Sequence, residues 1–489
     1  VTVASLRRRL SDALTAMDEA SSYHAWLAAA DEHDELTGMA AWRREDDSEW
    51  YDARRLRDDL AGLATLRAAD DPVAVSRLLD HSLTRHHGDI TAMPLMLAAF
   101  GGTKDIIRTY VDTVCDTLLW IARHPRPGVS EAERLRRFKR AARHYGRACL
   151  MLSGGGTLGW IHLGVVKVLF EQQLLPNVVT GASMGAMIAA GICARDDDEL
   201  RVLFDDPREI RTFGLKNAAV REGFRRRALL DPEVLRQTIL HNCGDETFEG
   251  SYLRTGRRLC ISVSPTRRGQ RPRLLNHLTA PDVLIAEAAL ASSSIPGVLP
   301  PAKLMCRHGD GRQPYLEDER WIDGSIHGDM PKWRVGRLFN VNHFVVSQTN
   351  PHVVPFLWDP RRRGLWRWAM GLTGRAVLQQ GRIALSTAAH LTADTPLRSA
   401  TTFAHALVDQ DYLGDVAIHP RFHPRLLRKA FTNASFDELL GYVRLGEQAA
   451  WPHLTKIRMQ TQIAHTFELA LREMEARVEA APTEPVSSR

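Results

Sequence analysis

Ala148-Cys-Leu-Met-Leu-Ser-Gly-Gly-Gly-Thr-Leu-Gly159 and, further on, Asn177-Val-Val-Thr-Gly-Ala-Ser-Met-Gly185 are the two stretches whose reading decides the fold. Each begins as a short apolar strand, breaks into a glycine turn and opens a helix: Trp160 to Gln172 after the first turn, Met184 to Ala194 after the second. Strand, turn and helix repeated in this order are the signature of a parallel sheet covered by helices. Each turn therefore lies at the C-terminal end of a strand, where such sheets bind ligands.

The first turn, Ser153 to Gly159, offers consecutive backbone N–H groups without side chains at the positive end of a helix, which suits an anion. Two readings compete for it. Gly154, Gly156 and Gly159 fit the dinucleotide pattern G-x-G-x-x-G, but that pattern wants an acidic residue closing the next strand, and here the strand ends in Thr180-Gly-Ala-Ser-Met-Gly185. That second turn is G-x-S-x-G, the sharp elbow that lifts a serine hydroxyl above a sheet. If Ser183 attacks an ester carbonyl, the resulting oxyanion requires preorganised N–H donors, and Gly154, Gly155 and Gly156 on the neighbouring strand's turn would supply them. An α/β-hydrolase draws its oxyanion loop from a separate part of its sheet and needs an acid and then a histidine after the serine. The close spacing argues against that arrangement, although His241, His277, His327 and His343 do follow Ser183.

A serine must lose its proton, and a carboxylate with the ordinary pKa of about 3.9 is a weak base in water. Burial in an apolar pocket would strengthen it. The best candidate is Asp323 in Trp321-Ile-Asp-Gly-Ser325, a short apolar strand end before a glycine turn.

Outward from these turns the pattern changes. From Val3 to about Ala122 apolar residues recur at helical spacing, and the Pro- and Gly-rich stretch Arg123 to Ser130 with the charged run after it reads as a linker and short helix. Beyond the second turn come the strand Leu259–Val263, the helix Val283–Ala291 and the strand His343–Ser347; from about Pro360 the pattern is helical again. The expected organisation is a helical domain over residues 1–145, an α/β domain over 146–350, a C-terminal helical region over 351–480 and a disordered tail over 481–489.

Composition allows this. A chain of 489 residues with 44% hydrophobic and 25% charged residues is an ordinary globular protein with room for two or three packing units. No stretch approaches the roughly 18 uninterrupted apolar residues of a membrane span, and the first residues lack the apolar core of a secretory signal, so a cytoplasmic location is expected. The six cysteines are scattered singly and read as reduced thiols. No acidic loop has calcium-ligand spacing and no Cys pair has zinc spacing, so neither a metal nor a cofactor is expected. The net charge of +6 is carried by arginine, which by charge alone suits an anionic lipid surface or a nucleic acid, or is simply solvated.

Taken together, the Gly154-Gly-Gly156 loop, the Gly181-x-Ser183-x-Gly185 elbow and the Asp323-Gly324 turn resemble the patatin-like phospholipase family in order and spacing. The resemblance implies a three-layer αβα domain with a mainly parallel sheet. It also implies a Ser–Asp dyad, with Ser183 as nucleophile, Asp323 as base and Gly154, Gly155 and Gly156 as oxyanion donors. Leu278-Thr-Ala-Pro281, Ser293-Ser-Ile-Pro-Gly297 and Phe339-Asn-Val-Asn-His-Phe344 running on to His352 look like segments of the branch of intracellular triacylglycerol lipases. Trp26, Tyr51-Asp52 and Gly101-Gly-Thr-Lys104 resemble the helical domain of unknown function that precedes the lipase domain there. The implied substrate is a lipid ester, triacylglycerol first and phospholipid second, hydrolysed or transferred to a lysolipid, with peripheral contact to a membrane or lipid droplet and no nucleic-acid partner. Ser325, where many relatives carry Gly or Ala, is the one departure.

Residues 356–385 interleave Phe356, Leu357, Trp358, Leu365 and Trp368 with Arg361-Arg-Arg363, Arg367 and Arg375, which fits either lipid docking or an amphipathic helix packed on the protein. His277 and Asp282 also form H-x-x-x-x-D, an acyltransferase-like pattern that chance alone supplies in a chain with 20 histidines. A nucleotide-binding module and a catalytically silent lipid-surface scaffold stay open as other classes.

Overall fold

The computed structural model describes residues 2–124, 128–212, 231–267, 270–324, 330–350, 414–421, 429 and 432–480. They divide into two compact units, one of Val1–Ala148 with Asn340–His343 and Trp451–Arg489, the other of Cys149–Phe339 with Phe344–Ala450.

The first unit is helical. Its helices start where polar side chains close their first turns: Ser22 accepts from Ala25 N–H, Asp52 from Arg55 N–H and Ser130 from Glu133 N–H. The helices Asp105–Arg123, Glu131–Tyr145 and Leu454–Ala480 share a core in which Phe467 meets Phe138 edge-on with ring centroids 5.4 Å apart. The stretch expected as one C-terminal helical region is thus divided, its last helix packing in the helical unit. Between helices, Asp34 accepts from Phe100 N–H (3.0 Å) and Gly101 N–H (2.8 Å), and Lys104 donates to the carbonyls of Trp42 and Glu45, both at 2.7 Å.

The second unit is built on a seven-stranded sheet. Its strands are β1 (Arg147–Leu152), β2 (Val178–Gly181), β3 (Arg258–Pro265), β4 (Arg273–Leu275), β7 (Trp321–Asp323), β8 (Val341–Ser347) and β9 (Val416–Ile418), in the order β4-β3-β2-β1-β8-β9 with β7 also on β3. β1 and β2, β2 and β3, and β8 and β9 run parallel; β4 and β7 are antiparallel to β3. A separate hairpin joins β5 (Met305–His308) to β6 (Gly311–Pro314). The central strands are buried on both faces, as their largely apolar sequences demand. β4 and β9, three residues each, were not expected from the sequence, and β9 lies inside the stretch expected to be helical.

Helices flank the sheet. On one of them, Ile161–Glu171, a Cβ at Gly164 would overlap the Val443 carbonyl, and one at Gly446 of Phe436–Ala450 would overlap the Ile161 carbonyl. These two helices therefore pack backbone against backbone. Residues 356–385, expected either to dock on lipid or to pack as an amphipathic helix, lie outside the described residues, as do Ser325 and His327.

Candidate active site

Leu152 of β1 stands opposite Gly181 of β2, which stands opposite Ile261 of β3, so the two glycine turns leave adjacent strands at the same level. Two residues further along β3, Val263 pairs with Asp323 of β7. The three candidate elements therefore gather at one edge of the sheet, the C-terminal edge of β1 to β3.

Ser183 is buried and caps the helix Met184–Cys193 with φ 53° and ψ −126°, a backbone conformation that costs a non-glycine residue about 1–3 kcal/mol. The flanking glycines explain how the chain tolerates this. A Cβ at Gly181 would overlap the Gly185 carbonyl, and one at Gly185 would overlap the carbonyls of Leu152 and Ser153. The elbow is thus pressed against the end of β1. No side chain caps the helix and no acidic residue occupies its first turn, so its positive end is left to whatever meets Ser183.

Hydrogen bonds through Ser292 and Ser294 join the elbow to the strands β3 and β7. Ser183 N–H donates to Ser292 Oγ (3.0 Å), and the Ser292 hydroxyl donates to the Ser262 carbonyl (2.8 Å). Two residues on, the Ser294 carbonyl accepts from Asp323 N–H (3.0 Å). Gly324 lies so close to the same Ser262 carbonyl that a Cβ would overlap it. The end of the helix Ile285–Ser292 therefore fixes both candidate residues through main-chain groups, and Asp323 is almost fully buried.

The glycine turn is held from behind. His162 Nε2 is 2.9 Å from the Ser153 carbonyl and 3.1 Å from Thr349 Oγ1, while Nδ1 is 2.7 Å from Ser347 Oγ. The Thr349 hydroxyl donates to the Gly154 carbonyl (3.0 Å), and Thr349 fills the space that a side chain at Gly155 would need. In a trans peptide the C=O and the following N–H point in opposite directions. Tying back the carbonyls of Ser153 and Gly154 therefore turns the N–H groups of Gly154 and Gly155 the other way. Burial pushes the His162 imidazole down to about 4, so at neutral pH it is an uncharged bridge.

Sequence reasoning did not single out His162, Ser292 or Thr349. A serine or histidine in an apolar segment carries no local mark of its partner, so only the tertiary contact reveals it. The histidines that were weighed take other places. His241 approaches the Glu209 carbonyl (3.0 Å), and His277 stacks on Tyr252 with centroids 4.0 Å apart and is pushed down to about 4 by burial and by Arg258. His343 is buried on β8. All six cysteines are free and buried. Among the described residues no group of His, Cys, Asp or Glu side chains is gathered to hold a metal ion, and no helix is long and apolar enough to cross a membrane.

Comparison with known proteins agrees with this architecture. Residues 150–332 match the model of the patatin-like phospholipases, and residues 3–144 match a domain of unknown function, DUF3336. Triacylglycerol lipase ptl3 of Schizosaccharomyces pombe is 32% identical over 89% of this chain and 92% of its own. Triacylglycerol lipase ptl2 of the same yeast is 30% identical over 92% of this chain and 74% of its own. A patatin-like phospholipase domain-containing protein of Aspergillus terreus is 29% identical over 96% and 70%. Among solved structures, VipD from Legionella pneumophila overlaps with a TM-score of 0.29 at 14% identity over 67% of each chain, too loosely to carry an argument. On these matches the chain belongs to the patatin-like phospholipase family, with a DUF3336 domain ahead of its patatin domain.

Proposed function

We propose that this lipid ester hydrolase cleaves triacylglycerol through Ser183 and Asp323, working as a peripheral protein at a lipid surface. The observation that carries the reading is the meeting of the strained serine elbow, the tied-back glycine turn and the buried Asp323 at one sheet edge. Asp323 takes the Ser183 proton as Oγ attacks the ester carbonyl. The N–H groups of Gly154, Gly155 and Gly156 receive the oxyanion, and Asp323 returns the proton to the departing alkoxide. Water, deprotonated by Asp323, then resolves the acyl-Ser183 intermediate. The two relatives named as triacylglycerol lipases support the substrate. The family's own description, phospholipase, favours phospholipase A chemistry at the same site as the second reading, and an alcohol in place of water would make the reaction acyl transfer to a lysophospholipid.

The test is hydrolysis of mixed micelles of trioleoylglycerol and phosphatidylcholine by the wild type, Ser183→Ala and Asp323→Asn. Fatty acid is expected from trioleoylglycerol with the wild type, and a loss of about a thousandfold or more in each variant. Release mainly from phosphatidylcholine would keep the site and change the substrate; undiminished turnover by either folded variant would remove that residue from the mechanism.

A further inference from the structure

The strand β4 is an edge of the sheet, and the helix Lys332–Phe339 runs along it. Arg334 donates to the Pro272 carbonyl just before β4, and the Phe339 ring lies 5.6 Å from that of His277 just after it. His277 in turn stacks on Tyr252 of the helix Phe248–Thr255. The inner side of this assembly is explained by cover of a sheet edge, since Val335 and Phe339 are buried.

The outer side is not. Trp333 is 70% exposed, Leu253 75% and Leu278 58%, and Leu338 is exposed as well, although such side chains usually lie inside. The three leucines adjoin the stacked rings in sequence: Leu253 follows Tyr252, Leu278 follows His277 and Leu338 precedes Phe339. Large apolar side chains gathered outside in this way mark a surface that meets something else.

Its charge narrows what that is. The helix carries Lys332, Arg334 and Arg337 with no acidic residue, and residues 270–281 add Arg271 and Arg273, again with none. Among the described residues Arg273, Arg334 and Arg337 enter no ion pair. The Arg337 guanidinium lies 4.8 Å from the Trp333 ring centroid and that of Arg273 5.4 Å from the Trp321 centroid. An arginine laid on an exposed tryptophan presents an apolar ring and a cation together, as a headgroup layer with anionic phosphates accommodates them. A lipid ester hydrolase has to reach a substrate held in such a layer.

The helix also begins beside the candidate site. Val263 of β3 pairs with Arg273 on one side and Asp323 on the other, so at about 4.8 Å per strand these two lie about 10 Å apart. Arg334, next to Trp333, bonds to the residue before Arg273. The first turn of the helix therefore stands at the sheet edge that carries Asp323.

We propose that the outer side of Lys332–Phe339, with Leu253 and Leu278 beside it, docks this protein on an anionic phospholipid surface. Trp333 enters the headgroup layer, and Arg273, Arg334 and Arg337 meet its phosphates. The inference rests on the reading of the protein as one that works at a lipid surface, and it names the surface used.

The experiment measures co-sedimentation of the full chain with vesicles of phosphatidylcholine alone and of equimolar phosphatidylcholine and phosphatidylserine, in a Ser183→Ala background so that no hydrolysis intervenes. Trp333→Ala and Arg337→Glu are compared with Arg208→Glu, the same charge reversal at an exposed arginine elsewhere in the chain; thermal unfolding confirms that each variant folds. Affinity for the mixed vesicles is expected to fall about tenfold or more for Trp333→Ala and Arg337→Glu and to stay near that of the parent for Arg208→Glu. No binding by the parent, binding unaltered in both test variants, or an equal loss with Arg208→Glu overturns the proposal. So does intact vesicle binding with a change in oligomeric state, which would make the patch a protein interface. Vesicle binding that depends on Trp333 and Arg337 sustains it even if Ser183 proves not to be the nucleophile.

Discussion

Lys104 in the helical unit and His162 in the sheet unit are both fully buried, and each joins segments far apart in sequence. Lys104 does so as a cation. Its ammonium donates to the carbonyls of Trp42 and Glu45 and lies 4.4 Å from the Trp42 ring centroid, so the charge is spread over carbonyl dipoles and a π face. His162 is neutral, and an uncharged imidazole is donor on one nitrogen and acceptor on the other. It can therefore accept from a hydroxyl as well as donate to a carbonyl, whereas an ammonium can only donate. The difference suits the two places: a charged side chain staples loops, while a neutral bridge orients the peptides of the glycine turn without adding a charge beside the proposed oxyanion site.

The comparison breaks most sharply at Gly185. A Cβ there would overlap two backbone carbonyls of β1 and the turn, neither of which can rotate away as a side chain would. Gly185→Ala is expected to shift the elbow and reduce kcat about 100-fold. Near-wild-type turnover by Gly185→Ala would show that the elbow is not held by backbone contact.

Acid separates the two buried groups. The His162 imidazole, near 4 in the folded chain against 6.5 when exposed, is protonated more readily in the unfolded state. Unfolded chains then bind more protons between these values, so stability is complete above about pH 6.5 and falls as pH drops toward 4. Charging a buried imidazole of this kind costs on the order of 3 kcal/mol. In urea unfolding, the stability gap between wild type and His162→Gln should narrow from pH 7 to pH 5. Lys104→Met removes hydrogen bonds from a cation and should cost about 2–3 kcal/mol at both pH values. A His162→Gln gap that does not change with pH would mean the imidazole is not buried neutral.

Much of this frame was legible because it is local. Strands expected at Ala148–Leu152 and Asn177–Thr180 form at Arg147–Leu152 and Val178–Gly181, and the helix expected from Met184 to Ala194 runs Met184–Cys193. Apolar runs bounded by glycine fix such elements within a residue or two. β4 and β9 were not legible, since three residues become a strand only through the partner they pair with. The helix Leu454–Ala480 hid its destination for a related reason: its apolar spacing says that it packs, not on what. At the site, Ser183 and Asp323 stand in motifs, whereas Thr349 and Ser294 lay in segments that only resemblance marked, with no role attached.

Ser292 is the subtlest of the framework residues and gives the smallest expected effect. Its hydroxyl accepts from Ser183 N–H and donates to the Ser262 carbonyl, so one oxygen ties the elbow to β3. Ser292→Ala leaves both main-chain groups buried without that partner, at a cost of about 1–3 kcal/mol. The helix that carries it stays packed and Asp323 keeps its bond to Ser294, so the loss should fall on the elbow alone. If Ser183 is the nucleophile as proposed, a kcat about tenfold lower with KM unchanged is expected, because the Ser292 hydroxyl touches the Ser183 backbone. Ser292→Thr should restore most of it, since a threonine hydroxyl can make the same two bonds. If Ser292→Ala instead raises KM and leaves kcat intact, the hydroxyl acts on substrate binding, and the elbow is held by its glycines without help from the neighbouring helix.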